Sequence, residues 1–121
     1  MVVKVINDTG EMIENDGKVV YVCSPYAGNI KHNTENARMY SRFVVESGHI
    51  PLAVHLLFPQ FVSEKDEREL AIQMGLDLLS RADEMWVFGS NISEGMSKEI
   101  VCAVARDIKV RFFTEDLQEV E

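Results

Sequence analysis

Lys18 to Asn29 read KVVYVCSPYAGN, a strongly apolar run followed at once by turn-forming residues. The first half, KVVYVC, is β-branched and aromatic, which is typical of a strand buried on both faces of a parallel sheet. The second half, SPYAGN, predicts a loop. Glycine and small residues after a buried strand let the backbone approach a ligand closely. A plain tight turn between a strand and a helix explains this pattern alone equally well.

Beyond this run, helical patterns alternate with strand-like runs. Three helices are expected, beginning at Asn33 or Thr34, at Ser63 and at Ser93. The first ends at about Ser47, where Gly48 is a suitable stop. The remaining strands are predicted at Ile50–Leu57, Glu84–Phe88 and Val110–Phe113. This alternation predicts βαβ units and therefore a three-layer α/β/α fold, Rossmann-like or flavodoxin-like, with four to five mainly parallel strands.

The two ends of the chain are less regular. Residues 1–17 contain a short strand pattern and two turn signals, which favour a hairpin arm at an edge or a partly disordered segment. The acidic tail from Glu115 is expected to form one short helical turn or to fray. With no repeat and no linker-like segment, residues 1–121 are interpreted as a single domain.

Composition narrows the function classes. The 121 residues include 26% charged and 46% hydrophobic side chains, which is typical of a soluble globular domain. Twelve basic against twenty acidic residues give a net charge of −8, which argues against a nucleic-acid polymer as partner, since phosphate backbones need clustered Lys and Arg. A small anionic ligand stays possible because helix N-termini bind phosphate without net positive charge.

The chain carries none of the usual signals of export, membrane insertion or metal binding. No apolar run reaches the length of a membrane span, and the N-terminus has no signal pattern. Cys23 and Cys102 lack CxxC spacing, so we expect free thiols in a cytoplasmic protein. His, Cys and carboxylate residues do not occur at metal-ligand spacing, so we expect neither a metal nor another cofactor.

Two segments at the predicted carboxyl ends of the strands could hold a ligand. Besides the loop from Ser24, these ends carry the helix start at Ser93, where free N–H groups favour an anion. Glu99 borders the apolar stripe of that helix, so its carboxylate is expected to face the same edge. The alternative is an ordinary half-exposed surface glutamate. For His55, a hydrogen-bonded structural role is the simpler interpretation.

Three blocks of the sequence together resemble the nucleoside 2-deoxyribosyltransferase-like superfamily. They are Val19–Asn29, Leu78–Phe88 with Asp83, and the Ser-x-Gly-x-x-x-Glu block that opens Ser93–Val110. Within that superfamily, the chain is most similar to a branch of small bacterial and phage proteins. The resemblance covers most of residues 18–113.

The resemblance implies an enzyme that cleaves the N-glycosidic bond of a deoxynucleoside or its 5′-monophosphate, or transfers the deoxyribosyl group. Glu99 takes the place of the family nucleophile, Tyr21 that of the tyrosine that orients it, and Ser93 that of a phosphate-binding serine. Further substrate contacts are implied at Ser24, Pro25, Tyr26, Gly28, Asn91, Gly95 and Met96. The implied partners are a nucleoside or nucleotide and, as a homodimer or higher homo-oligomer, further copies of the chain, with no membrane involved.

Two positions depart from the family pattern. Gly75 stands where the family has an acid for the leaving base, and Asp77, two residues along, is the substitute that the sequence offers. Ala27 stands where the monophosphate branch has an arginine. These departures keep open a second function, a non-catalytic nucleotide or nucleotide-sugar binding module of the same fold.

Overall fold

An antiparallel hairpin of β1 (Val3–Ile6) and β2 (Met12–Asn15) begins the chain in the computed structural model, which describes residues 1–121. The two strands form a sheet of their own. Of the two expectations for residues 1–17, the hairpin is therefore the one observed, and it does not extend the main sheet. The side chain of Asn15 donates to the carbonyl oxygen of Ser47 at 2.5 Å and ties the hairpin to the domain.

The main sheet has five strands. They are β3 (Val19–Cys23), β4 (Ile50–Leu52), β5 (Glu84–Phe88), β6 (Lys109–Phe113) and β7 (Glu119–Val120). Their order in space is β4-β3-β5-β6-β7, with β7 antiparallel to its neighbour and all other pairs parallel. This confirms the predicted fold class. Because the chain leaves β3 for β4 and later returns to β5 on the other side, a ligand site is expected at the carboxyl ends of β3 and β5.

Helices cover both faces of this sheet. They are α1 (Ile30–Glu46), the single turn α2 (Val54–Leu57), α3 (Arg68–Leu79) and α4 (Glu94–Ala105). Val20 and Val22 of β3 pack with side chains of α1, whereas Tyr21 and Cys23 pack in a second cluster with side chains of α3 and α4. β3 is thus buried on both faces, as its composition predicts.

Ser93 caps α4 as predicted, whereas α1 starts earlier than predicted because a different side chain caps it. Asn29 caps α1, accepting a hydrogen bond from the backbone N–H of His32 at 3.2 Å. Asn33, the predicted cap, instead donates to the carbonyl oxygens of Tyr26 and Ala27 and fastens the loop after β3. Gly48 ends α1 with a φ of +83°, as predicted.

Ser63 caps a separate turn ahead of α3 rather than the helix itself. Its hydroxyl accepts from the N–H of Asp66 at 3.1 Å, and its own N–H donates to the Glu67 carboxylate at 2.9 Å. Glu67 then departs from helical geometry, so α3 begins at Arg68.

Two predicted segments are wrong in type. The run Ile50–Leu57 is a three-residue strand followed by α2, because β4 lies at the sheet edge and a short apolar run does not distinguish a strand from a buried helical turn. The tail pairs with β6 as β7 instead of forming a helical turn. Leu117 turns the chain back with a φ of +68°, and Glu119 pairs with Arg111.

The packing of α4 on the sheet predicts which of its substitutions are costly. Ala103 is fully buried one helical turn beyond Glu99, on the same face of the helix. We expect Ala103→Leu to lower the free energy of unfolding by about 1–3 kcal/mol through overpacking. Val104→Leu, at a position that is 62% exposed, is the matched control and should change it by less than about 0.5 kcal/mol. Urea unfolding curves with equal midpoints for the two variants would contradict this placement of α4.

Candidate active site

A cavity of about 420 Å³ opens at the carboxyl end of β3, between α2, α3 and the first turns of α4. Its volume lies in the range of small-molecule sites. The predicted site residues that line it are Tyr21, Ser24, Tyr26, Ser93, Gly95, Met96 and Glu99. The fold therefore brings together the end of the first buried strand and the start of α4, although about 70 residues separate them in sequence.

The carboxylate of Glu99 accepts hydrogen bonds at both of its oxygens. The hydroxyl of Tyr21 donates to Oε2, and the thiol of Cys23 lies 3.6 Å from Oε1. Tyr21 and Cys23 are two residues apart on β3, so both side chains point to the face that α4 covers. The Glu99 carboxylate thus connects α4 to β3.

Burial controls the electrostatics of this contact. It raises the pKa of Glu99 from 4.5 to about 7, and the hydrogen bonds from Tyr21 and Cys23 lower it only in part. Burial also raises the pKa values of Tyr21 and Cys23 well above their ordinary ranges. Both groups therefore keep their protons near neutral pH and act as donors. No ion pair involves Glu99, since its carboxylate has no cation within 4.0 Å.

A second part of the cavity is suited to an anion. The Oγ of Ser24 is buried and has no hydrogen-bond partner, and it is the one buried side-chain polar atom of which this is true. Ser93 caps α4 by accepting from the N–H of Met96 at 3.2 Å, which leaves its own hydroxyl hydrogen free to donate. Glu94 and Gly95 follow in the first turn, where backbone N–H groups have no partner within the helix.

Some predicted residues do not line the cavity. Asp77 lies on the exposed side of α3, where its carboxylate pairs with Arg81 at 3.0 Å. A position two residues from Gly75 faces away because helical residues two apart do not share a face. Pro25 and Gly28 shape the loop, and Gly28 has a φ of +95° that favours glycine. Asn91 is exposed beside the cavity rather than within its lining.

Gly75 and Ala27 both line the cavity. A Cβ at Gly75 would lie 3.5 Å from the Tyr21 hydroxyl and 3.8 Å from Val54 Cγ2, which are ordinary van der Waals distances. The glycine therefore leaves open space next to the Tyr21–Glu99 contact, at the position where the family resemblance implies an acid.

Two charged lining residues, Arg68 and Lys98, escaped the sequence analysis, which interprets a third lining residue, His55, as a structural side chain at the end of a predicted strand. His55 stacks on Tyr26 with ring centroids 4.9 Å apart, and burial lowers its pKa, so the imidazole is neutral near pH 7. It lies on α2 and not at the end of a strand, which corrects the expected position. Arg68 and Lys98 supply cations at the cavity wall. Arg68 reaches the cavity because α3 begins there, and Lys98 because of the orientation of α4 about its axis. Neither property can be predicted from a short sequence motif.

The described residues contain no group of three or more His, Cys, Asp or Glu side chains placed to hold a metal ion. Cys23 and Cys102 are both free thiols, as predicted. None of the helices has the length and apolar character needed to span a membrane.

The raised pKa of Glu99 predicts a pH-dependent stability. Between pH 4.5 and about 7 the folded state binds more protons at this group than the unfolded state, so wild-type stability falls as pH rises through that window. From about pH 4 to about pH 9, the unfolding free energy of Glu99→Gln relative to wild type should increase by about 3 kcal/mol. Urea unfolding at several pH values measures this difference. Glu35→Gln, at an exposed position of α1, is the control and should show a flat difference; a flat difference for Glu99→Gln would refute its burial.

Comparison with known proteins agrees with this architecture. The chain superposes on a 2-deoxyribosyltransferase of Bacillus psychrosaccharolyticus, described as a biocatalyst for nucleoside synthesis, with a TM-score of 0.62 and 18% identity over 79% of this chain and 72% of that one. A 2-deoxyribosyltransferase from Leishmania mexicana gives a TM-score of 0.63 and 13% identity over 80% of this chain and 64% of that one, so the chain spans slightly less than two thirds of its length.

At these identities the likeness establishes the fold. A search among curated proteins found none that matches the sequence. The model of one protein family, described as a domain of unknown function (DUF7768), matches residues 18–113, which include every cavity-lining residue. The chain therefore belongs to the DUF7768 family, and its fold is that of the 2-deoxyribosyltransferases.

Proposed function

We propose that this protein cleaves the N-glycosidic bond of a deoxynucleoside or its 5′-monophosphate, with Glu99 as the nucleophile. The observation behind this proposal is the Glu99 carboxylate, held by Tyr21 and Cys23 at the wall of a cavity with the volume of a small-molecule site. Half-exposed surface glutamates do not have both oxygens bound by buried donors. The structural likeness to 2-deoxyribosyltransferases supports a deoxyribosyl substrate.

The chemistry follows from a buried carboxylate beside a sugar. In the first step an oxygen of ionised Glu99 forms a bond to the anomeric carbon, and the bond to the base breaks, with its electron pair leaving on the base nitrogen. In the second step water or a second nucleobase attacks the same carbon and frees the carboxylate, and the proton that it loses balances the one taken up by the departed base. Water yields hydrolysis, and a second base yields transfer.

The anion-binding part of the cavity would take a 5′-phosphate. The free hydroxyl of Ser24 and the first turn of α4 offer donors, and Arg68 and Lys98 offer positive charge. Glu64 and Glu94 also line the cavity and oppose an anion in part. Because Ala27 offers no guanidinium at the loop, the gain from the phosphate should be modest.

A second candidate, a non-catalytic nucleotide-binding module, is favoured by one observation. Gly75 faces the cavity with no carboxylate, and Asp77 is turned to solvent against Arg81. Without an acid for the leaving base, the first step would be slow for bases that depart poorly. The two candidates differ in whether free base is released.

Base release should depend on Glu99 and on pH. Chromatography of free base from a panel of deoxynucleosides and their monophosphates should show release by wild type and none by Glu99→Gln, since the amide is not a nucleophile. The wild-type rate should rise as pH passes about 7 and level off above it, because attack needs the ionised carboxylate.

Asp77→Asn and Glu35→Gln are the matched controls for this experiment, because both carboxylates are exposed outside the cavity. Both variants should release base at the wild-type rate. Release by Glu99→Gln at that rate would eliminate the nucleophile. No release by wild type, combined with a thermal shift on adding a monophosphate, would establish the binding module instead.

A monophosphate should bind more tightly than its nucleoside, by about 10-fold, if α4 receives the phosphate. Calorimetry of both ligands measures the ratio. Ser93→Asn keeps a helix cap but removes the hydroxyl, so it should lower the affinity for the monophosphate relative to the nucleoside. Ser97→Asn, at an exposed position of the same helix, should leave this ratio of affinities unchanged. Equal affinities of wild type for the two ligands would remove the phosphate assignment.

A further inference from the structure

Cys23 contacts Glu99 from within the hydrophobic core. Its Sγ lies 3.6 Å from Oε1 of Glu99, and the residue is fully buried. Unlike Tyr21, Cys23 is not part of the cavity lining. A ligand in the cavity would therefore touch Glu99 and Tyr21 but not the thiol.

We propose that Cys23 is a positioning residue, whose thiol holds one oxygen of Glu99 while the Tyr21 hydroxyl holds the other. The proposal deepens the proposed function, on which it rests for the role of Glu99 as nucleophile. The terminal torsion of a glutamate side chain is broad, so a single hydrogen bond leaves the carboxylate free to swing. Two donors on one strand, one to each oxygen, fix its plane relative to the sheet.

The protonation state of the thiol agrees with this role. Burial and the neighbouring carboxylate raise the pKa of Cys23 well above its ordinary range, so the sulfur keeps its proton and donates it. The hydrogen bond in turn favours the ionised form of Glu99 and lowers its pKa. Loss of the thiol should therefore make Glu99 harder to ionise.

Other ionisable groups surround the cavity, but none hydrogen-bonds or pairs with Glu99. From the neighbouring elements these are Tyr26, His55, Glu64 and Arg68, and from α4 itself Glu94 and Lys98. Cys102 lies further along α4, outside the cavity lining. Tyr21 and Cys23 are the two groups in direct contact with the carboxylate. A shift in the pKa of Glu99 on changing residue 23 alone is thus assigned to the thiol contact.

Two substitutions separate donation from packing. Cys23→Val suits a strand but has no donor and adds volume, whereas Cys23→Ser keeps a donor and loses volume. Carbon-13 NMR titration of labelled glutamate carboxyls, compared with Glu99→Gln for assignment, measures the pKa of Glu99. We expect Cys23→Val to raise it by about 0.5–1 pH unit and Cys23→Ser to leave it close to wild type. Cys23→Ala provides the same test if the valine variant does not fold.

The same substitutions at Cys102 are the control, because Cys102 lies on α4 without a contact to Glu99. Cys102→Val and Cys102→Ser should both leave the titration unchanged. Below the pKa of Glu99, base release by Cys23→Val should fall about 3- to 10-fold, with kcat affected and KM largely kept. At high pH it should recover only in part, because the carboxylate is ionised there but still lacks the hydrogen bond that fixes its plane.

The titration needs no substrate, so it tests the thiol contact separately from the reaction. Equal pKa values of Glu99 in wild type and Cys23→Val, or a rise in Cys23→Ser as large as in Cys23→Val, would overturn the proposal. A shifted pKa of Glu99 in Cys23→Val, together with no base release by wild type, would support the thiol contact and refute the proposed function. Base release by wild type, together with an unshifted pKa of Glu99 in Cys23→Val, would support the proposed function and refute the thiol contact.

Discussion

The face of β3 that packs against α3 and α4 carries two polar side chains, and the structure depends on where their hydrogen bonds go. Tyr21 and Cys23 are fully buried at the interface of β3 with α3 and α4, and an unpaired polar group there would be costly. Glu99 supplies the acceptor for both. That contact sets the rotation of α4, which in turn places Ser93 and the first helical turn beside the loop from Ser24.

The same contact gives one carboxylate the properties of a reactive group. Glu99 is buried enough for its pKa to lie near neutrality, and it faces a cavity in which Ser24 Oγ still lacks a partner. Perturbed carboxyls and unsatisfied hydroxyls are uncommon in structural cores and common in ligand sites. Elsewhere the buried carboxylate of Glu84 shows the structural alternative. It is satisfied by Trp86 and Lys18, lies against Arg111, and borders no comparable cavity.

Much of this architecture could be predicted from sequence, because periodicity reports burial directly. The run KVVYVC predicts a strand buried on both faces, and β3 is such a strand. Ser93 caps α4, as its sequence predicts. Failures lie where local patterns are ambiguous. Ile50–Leu57 is apolar except for His55, and only the position of β4 at the sheet edge separates its strand from the turn α2. For the site, the sequence does not fix the rotation of α3, so it could not show that Asp77 faces away from the cavity. The position of Cys23 beside Tyr21, by contrast, could have been predicted, because alternate residues of a strand share a face.

The proposed function requires that Glu99 forms a covalent bond to the sugar during the reaction. Acid quenching during the first turnover, followed by proteolysis and mass spectrometry, measures this most directly. We expect a deoxyribosyl adduct on the peptide that contains Glu99, appearing together with the first released base and decaying as turnover proceeds. Release of base with no adduct at any quench time, or with the adduct on another residue, would contradict the account.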